Sequence, residues 1–297
     1  MLEAVGKLRA VVRGPEQPVA TLVLIHGIGL GPWFWEPWMD ALAQRFRVLA
    51  LSLPGHGEPP EDAGLQEVIA GVESVVAALP EPPILVGHSM GALVAQILAT
   101  RMELRGLILI SPLPPGQIFV RPDRNMIRHS LGLLPAFVRN QPLKIGLPAY
   151  RALGMNLLSD TDIQRWFPKI CPWPRPLARD LLRPPRVDPS AVHCPVLVLL
   201  GKEDRLVPWQ KGRVLGDLYE AVVWRYDNLA HSPPLEPEGQ RMLQDLLRWA
   251  ENPVRPQVLE SEGFGPREGV GYHLRRLRRG EAMKRRSAYG QKQSARS

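Results

Sequence analysis

Three side chains in this sequence have the type, order and setting to generate a nucleophile at neutral pH. Ser89 stands in Gly87-His88-Ser89-Met90-Gly91. Chance alone gives a G-x-S-x-G pattern in roughly one chain in ten of this length, so the flanking elements must carry the weight. Pro83–Val86 reads as a buried strand and Met90–Thr100 as a helix, and a serine at such a strand–turn–helix junction is held on a sharp, strained turn. Gly87 and Gly91 are small enough to let the chain double back there. A serine hydroxyl attacks poorly unless a base takes its proton, and an imidazole titrates in the right range to do so. His231 follows the last strand-like run, Val222–Tyr226. Asp204 follows Val196–Leu200, where a carboxylate would fix the imidazole tautomer and balance its positive form. The charge developing on an attacked carbonyl oxygen needs two N–H donors. Met90, next to the nucleophile, is one candidate, and Ile28 in His26-Gly27-Ile28-Gly29 is the other.

The elements that must position these residues follow from hydrophobic periodicity. Thr21–Ile25, Val48–Leu51, Pro83–Val86, Leu104–Ile110, Val196–Leu200 and Val222–Tyr226 are near-continuous apolar runs, as expected of strands covered on both faces. A further strand near Leu8–Val12 is expected at the edge. Trp35–Ala43, Leu65–Ala78, Met90–Thr100, Trp209–Leu218 and Pro237–Ala250 carry apolar residues at helical spacing. The alternation predicts an α/β fold with a mostly parallel sheet flanked by helices, the site lying at the carboxyl ends of its strands. Residues 113–190 break the alternation with many prolines and aromatics. Leu131, Leu133, Leu134, Phe137 and Val138 suggest short helices there. The expected organisation is a core of residues 1–112 and 191–251, a helical cap inserted at 113–190, and a basic, disordered tail at 252–297.

This set resembles the α/β-hydrolase superfamily, in particular its single-domain esterase and lipase-like members with a cap. The likeness covers roughly residues 4–251. The His26-Gly27 loop, the Gly55-His56-Gly57 turn, the Gly87–Gly91 elbow, the Gly201–Pro208 loop and His231 occur in that family's order. The resemblance implies Ser89, Asp204 and His231 as a catalytic triad. It favours Asp204 over Glu203 and Asp227 through its offset from Gly201. It implies hydrolysis of a carboxylic ester of a small to medium hydrophobic substrate through an acyl-enzyme, with no metal and no cofactor. Thioester, carbon–carbon and acyl-transfer chemistry use the same triad, and a non-catalytic binding protein is the reading from another class. Two departures stand out: Ser52 replaces the usual Asp of a turn, and the loop at His26 is His-Gly-Ile-Gly rather than His-Gly-Gly-Gly. A serine nucleophile argues against epoxide opening and dehalogenation.

Composition bounds the rest. The 297 residues are 45% apolar, enough to bury a large core. Only Cys171 and Cys194 are present, so a disulfide framework is not expected and a reducing compartment suits the chain. The first 15 residues lack the apolar stretch of a signal peptide and no run reaches membrane-spanning length, giving a cytoplasmic expectation. The net charge of +8 is uneven. Residues 113–190 hold 12 Lys and Arg against 5 Asp and Glu, and residues 252–297 hold 11 against 4. The remainder is therefore mildly acidic. A basic, aromatic cap could rest weakly on an anionic membrane surface. The tail has only Phe264, Tyr272 and Tyr289 for base stacking and no nucleic-acid fold, so no specific nucleic-acid partner is expected. Oligomeric state has no signature. Trp33, Phe34 and His88 are candidate walls of the substrate pocket. His26 is expected to bond backbone and His56 to be structural in its Gly-flanked turn, and His129, His193 and His273 lack metal-ligand spacing.

Overall fold

Aliphatic strands with no polar face must be covered twice, and the chain does this with helices on each side of one sheet. The structure, a computed structural model, describes residues 2–57, 62–118, 124, 128, 141–254 and 270–272. The strands are β1 (Leu2–Val5), β2 (Leu8–Arg13), β3 (Thr21–Ile25), β4 (Arg47–Ser52), β5 (Ile84–His88), β6 (Gly106–Ile110), β7 (Val196–Gly201), β8 (Val222–Tyr226) and β9 (Val270–Tyr272). They form one sheet in the order β1-β2-β4-β3-β5-β6-β7-β8-β9. Neighbours from β4 to β8 are parallel, with β1, β2 and β9 antiparallel at the two ends.

Alternate residues of each strand serve opposite faces. Val23, Ile25, Leu107, Leu109, Val198 and Leu200 pack beneath α2 (Leu65–Ala77), α3 (Met90–Leu98) and α7 (Trp209–Tyr219). Leu22, Leu24, Ile108, Ile110, Leu197 and Leu199 pack beneath α1 (Glu36–Ala43) and α8 (Gly239–Glu251). Helices α4 (Leu147–Leu153), α5 (Asp160–Trp166) and α6 (Arg175–Leu181) lie in the insertion between β6 and β7.

Three expectations are corrected. Leu8–Arg13 is not the edge strand, because Leu2–Val5 folds back on it as a hairpin, with Leu2 opposite Val11. Two of the four residues in β1 are exposed, so it offered no apolar run to read. The aromatic helix begins later than Trp35, since Pro32–Trp35 is a separate 3-10 turn leading into α1. The tail is not wholly a solvated extension, because Val270–Tyr272 pairs antiparallel with Trp224–Tyr226. The apolar group Leu131–Val138, His129, His273, Phe264 and Tyr289 fall outside the described residues. Among the described residues, no helix is long and apolar enough to cross a membrane.

Candidate active site

Strand β5 delivers Ser89 directly into α3 with φ 52° and ψ −117°, a backbone conformation that a non-glycine residue adopts only under strain. The turn is pinned on both sides. Ser89 N–H donates to Ile110 O (3.1 Å), and Leu113 N–H donates to Ser89 O (3.1 Å). A Cβ on Gly87 would lie 2.5 Å from Ala92 Cα, and one on Gly91 would lie 2.2 Å from Ile25 O. Glycine is therefore required at both positions by close backbone approach.

The loops after β7 and β8 bring the other two side chains to this turn. His231 Nε2 is 3.1 Å from Ser89 Oγ, and His231 Nδ1 is 2.9 Å from Asp204 Oδ2. A carboxylate only accepts, so Nδ1 carries the proton and Nε2 is free to accept from the serine hydroxyl. Asp204 is itself fixed, because its Oδ1 accepts from the N–H groups of Leu206 (2.9 Å) and Val207 (2.8 Å). All three residues are buried, which strengthens their mutual electrostatics. The carboxylate of Asp227 lies elsewhere, paired with Arg225 (3.3 Å) and Lys202 (3.5 Å), and the Glu203 backbone carbonyl accepts from Asn156 Nδ2 (3.1 Å).

The His26–Gly29 loop lies against the same serine, since a Cβ on Gly27 would sit 3.1 Å from Ser89 Cβ. Met90 is the first residue of α3 and so has no acceptor within the helix. Neither its N–H nor that of Ile28 has an acceptor among the described residues. Both donors belong to the segments that flank Ser89.

The pocket residues divide. His88 lines a cavity of about 70 Å³ at Ser89, walled also by Ile28, Leu30, Ile145, Met155 and Leu206. Phe34 does not reach it. Its ring is fully buried behind the site and stacks on His88 at 4.4 Å, so it backs the wall rather than forming it. Trp33 belongs to a neighbouring cavity of about 870 Å³ that shares Leu30 and Ile145 with the first. There Trp33 stacks on Trp166 of the insertion at 5.8 Å, with Lys169 Nζ 4.7 Å from the Trp166 ring centroid.

Sequence reasoning missed the residues that tie the insertion to each site loop. Cys171 N–H donates to Gly29 O (3.0 Å), Ser232 Oγ donates to Gly154 O (2.8 Å), and Asn156 reaches the Glu203 carbonyl. Also missed was Glu236, whose carboxylate accepts from Ala230 N–H (2.6 Å) and Ser232 N–H (2.8 Å), on either side of His231. Contacts from side chain to distant backbone have no periodicity. Only the acidic residue five positions after His231 could have signalled the last of them.

Three further histidines surround the site. His26 Nδ1–H donates to Gly27 O (2.8 Å), His56 Nδ1–H to Pro54 O (2.9 Å), and His88 Nε2–H to His231 O (2.7 Å). Burial pushes all three below the ordinary imidazole range, with neighbouring imidazoles lowering His26 and His88 further. A group depressed in the folded state contributes stability above its unfolded pKa and loses it as pH falls. One raised carboxyl, Glu236, acts in the opposite sense over part of this range, but with three imidazoles depressed, thermal unfolding at fixed ionic strength should show Tm falling as pH drops below about 6.5. A flat Tm between pH 8 and 5 would contradict this. Among the described residues no group of His, Cys, Asp or Glu is arranged to hold a metal.

Comparison with known proteins places the chain in a family. The model of the alpha/beta hydrolase family matches residues 22–241, and the chain belongs to that family. Among curated relatives, it is similar to the pimeloyl-[acyl-carrier protein] methyl ester esterase of Methylococcus capsulatus. The two are 33% identical over 267 residues, covering 77% of this chain and 92% of that protein. It is 28% identical to the protein of the same name from Xanthomonas oryzae pv. oryzae, over 63% of this chain and 78% of the relative. Among solved structures, the esterase RhEst1 from Rhodococcus sp. ECU1013 superposes with a TM-score of 0.68 at 25% identity, covering 84% of this chain and 98% of that one.

Proposed function

We propose that the protein is a serine esterase that cleaves a carboxylic ester with a small alcohol group and a longer acyl chain. The observation that carries this is the unbroken line from Asp204 Oδ2 through His231 to Ser89 Oγ, with links of 2.9 and 3.1 Å. In this mechanism His231 Nε2 takes the Ser89 proton as Oγ bonds to the ester carbonyl carbon. The Ile28 and Met90 N–H groups stabilise the oxyanion. The intermediate collapses with loss of the alkoxy group, which leaves as the alcohol with the proton from His231. Water, deprotonated by the same imidazole, then attacks the acyl-enzyme. The acid is released and Ser89 regains its proton.

The sizes of the cavities support the substrate class. About 70 Å³ at Ser89 is room for roughly two water-sized groups, which suits a methyl or ethyl ester end. The adjoining 870 Å³ suits the remaining chain. The names of the relatives, esterases of a methyl ester on a carrier-bound pimeloyl chain, describe the same asymmetry. The basic excess of residues 113–190 favours approach of an anionic carrier.

The test is a series of alkyl esters of one acyl group, run beside fluorophosphonate labelling. Labelling should fall on Ser89, and kcat/KM should drop at least about tenfold from methyl to butyl ester. Equal rates along the series would remove the small-alcohol assignment. Absence of labelling in folded protein would favour a binding role instead.

A further inference from the structure

Glu236 has no role in the steps above, yet its carboxylate is buried within two residues of the base on each side. It is 5% exposed and sits in a turn whose other members, Ser232, Pro233, Pro234 and Leu235, are also buried. Its Oε2 accepts from Ala230 N–H at 2.6 Å and its Oε1 from Ser232 N–H at 2.8 Å. The carbonyl of His231, between those two amides, accepts from His88 Nε2–H at 2.7 Å. The backbone carrying the imidazole is thus held at three consecutive residues, and both oxygens of one carboxylate supply two of the three bonds. We propose that Glu236 is a positioning residue for the esterase reaction, clamping the amides on both sides of His231 so that its ring stays aligned between Asp204 and Ser89. The inference rests on the reading of Ser89, His231 and Asp204 as the reacting set.

Burial pushes the Glu236 carboxyl up to about 7 despite the two amide bonds, which lower it. Of the ionisable groups that act on it, Asp204 after β7 raises it and His231 after β8 lowers it. A carboxyl raised in the folded state contributes stability at pH values below its unfolded pKa and loses it as pH rises through the folded value. Near and above neutrality the charge therefore works against the fold. What it gains there is geometric and electrostatic. Ionised, both oxygens accept; protonated, one of them becomes a donor facing an N–H. Its attraction to His231 also favours the imidazolium that forms as Ser89 attacks.

Glu236→Gln keeps the shape but turns one acceptor into an NH₂ group aimed at a backbone N–H. In the full-length chain, kcat should fall about 10- to 100-fold through misplacement of the base, with KM within about twofold and Tm at pH 8 no lower than wild type. The rate of Ser89 labelling by fluorophosphonate should fall in parallel. Against pH, wild-type labelling should decline on the acid side more steeply than one proton allows, and the variant should follow a single proton. A variant with wild-type kcat and labelling rate overturns the proposal, as does a loss of activity that tracks Tm. If this variant fails to fold, Glu236→Asp decides: it keeps the charge but draws the carboxylate back from the two amides, and wild-type kcat and labelling rate in it overturn the clamp. Failure of the underlying reading is distinct, because then Ser89 of the wild type does not label at all.

Discussion

Replacing Ser89 with alanine should lower kcat by a factor on the order of 10³ or more while leaving the fold intact. Among the described residues the hydroxyl makes one hydrogen bond, to His231 Nε2 at 3.1 Å, so little packing is lost with it. Chemistry and stability separate more sharply with glycine. Ser89 holds φ at 52°, and a strained non-glycine conformation costs roughly 1–3 kcal/mol. Glycine relieves that strain, less about 0.5–1 kcal/mol for its greater freedom when unfolded. Ser89→Gly should thus be as inactive as Ser89→Ala but about 1 kcal/mol more stable than wild type, seen as a raised Tm. Ester hydrolysis and thermal melts on the three proteins decide it. An alanine variant keeping more than about a tenth of wild-type kcat would show that another group attacks the ester.

The same opposition between fold and site runs through the residues around Ser89. Glu236 carries a buried charge near and above neutrality. The amides of Ile28 and Met90, in the segments around Ser89, have no acceptor among the described residues. His26, His56 and His88 each leave one ring nitrogen without a partner. Each of these features costs stability when buried, and the two amide bonds that Glu236 accepts offset only part of that cost. They gather at the rim of the sheet that holds Ser89.

The sheet was legible because its strands have no polar face. Thr21–Ile25 and Val222–Tyr226 can be read residue for residue from the sequence. Ser89, Asp204 and His231 stood out because each follows such a strand, and the sheet brings strand ends together whatever their separation in sequence. Periodicity says which face a residue serves but not which neighbour it meets. Phe34 therefore read as a pocket wall, although its ring packs behind His88. Trp33 read in the same way, although it pairs with Trp166, 133 positions away, at the neighbouring cavity. The hairpin strand Leu2–Val5 is half exposed and left no signal beyond four residues of mixed character.

Gly91→Ala should be the most destabilising single methyl group in the elbow. The added Cβ would stand 2.2 Å from Ile25 O, 2.6 Å from His26 O and 2.7 Å from Ile25 C. All three are backbone atoms, so no rotamer change relieves the contact. Ile25 ends β3, which pairs with β5 through the register Ile25 to Gly87. The helix can retreat only by pulling α3 off the sheet or by separating β3 and β5, which carry the His26–Gly29 loop and Ser89. Overpacking of this kind costs typically 1–3 kcal/mol where side chains can move. Against fixed backbone, about 3–5 kcal/mol is expected, a large part of the stability of a domain. Urea unfolding should show the midpoint falling without a change in slope. Protein that remains folded should label at Ser89 far more slowly, because the shift displaces the Ile28 amide and the Ser89 hydroxyl relative to each other. A variant with wild-type midpoint and labelling rate would mean that α3 is not seated against β3 as closely as these distances require.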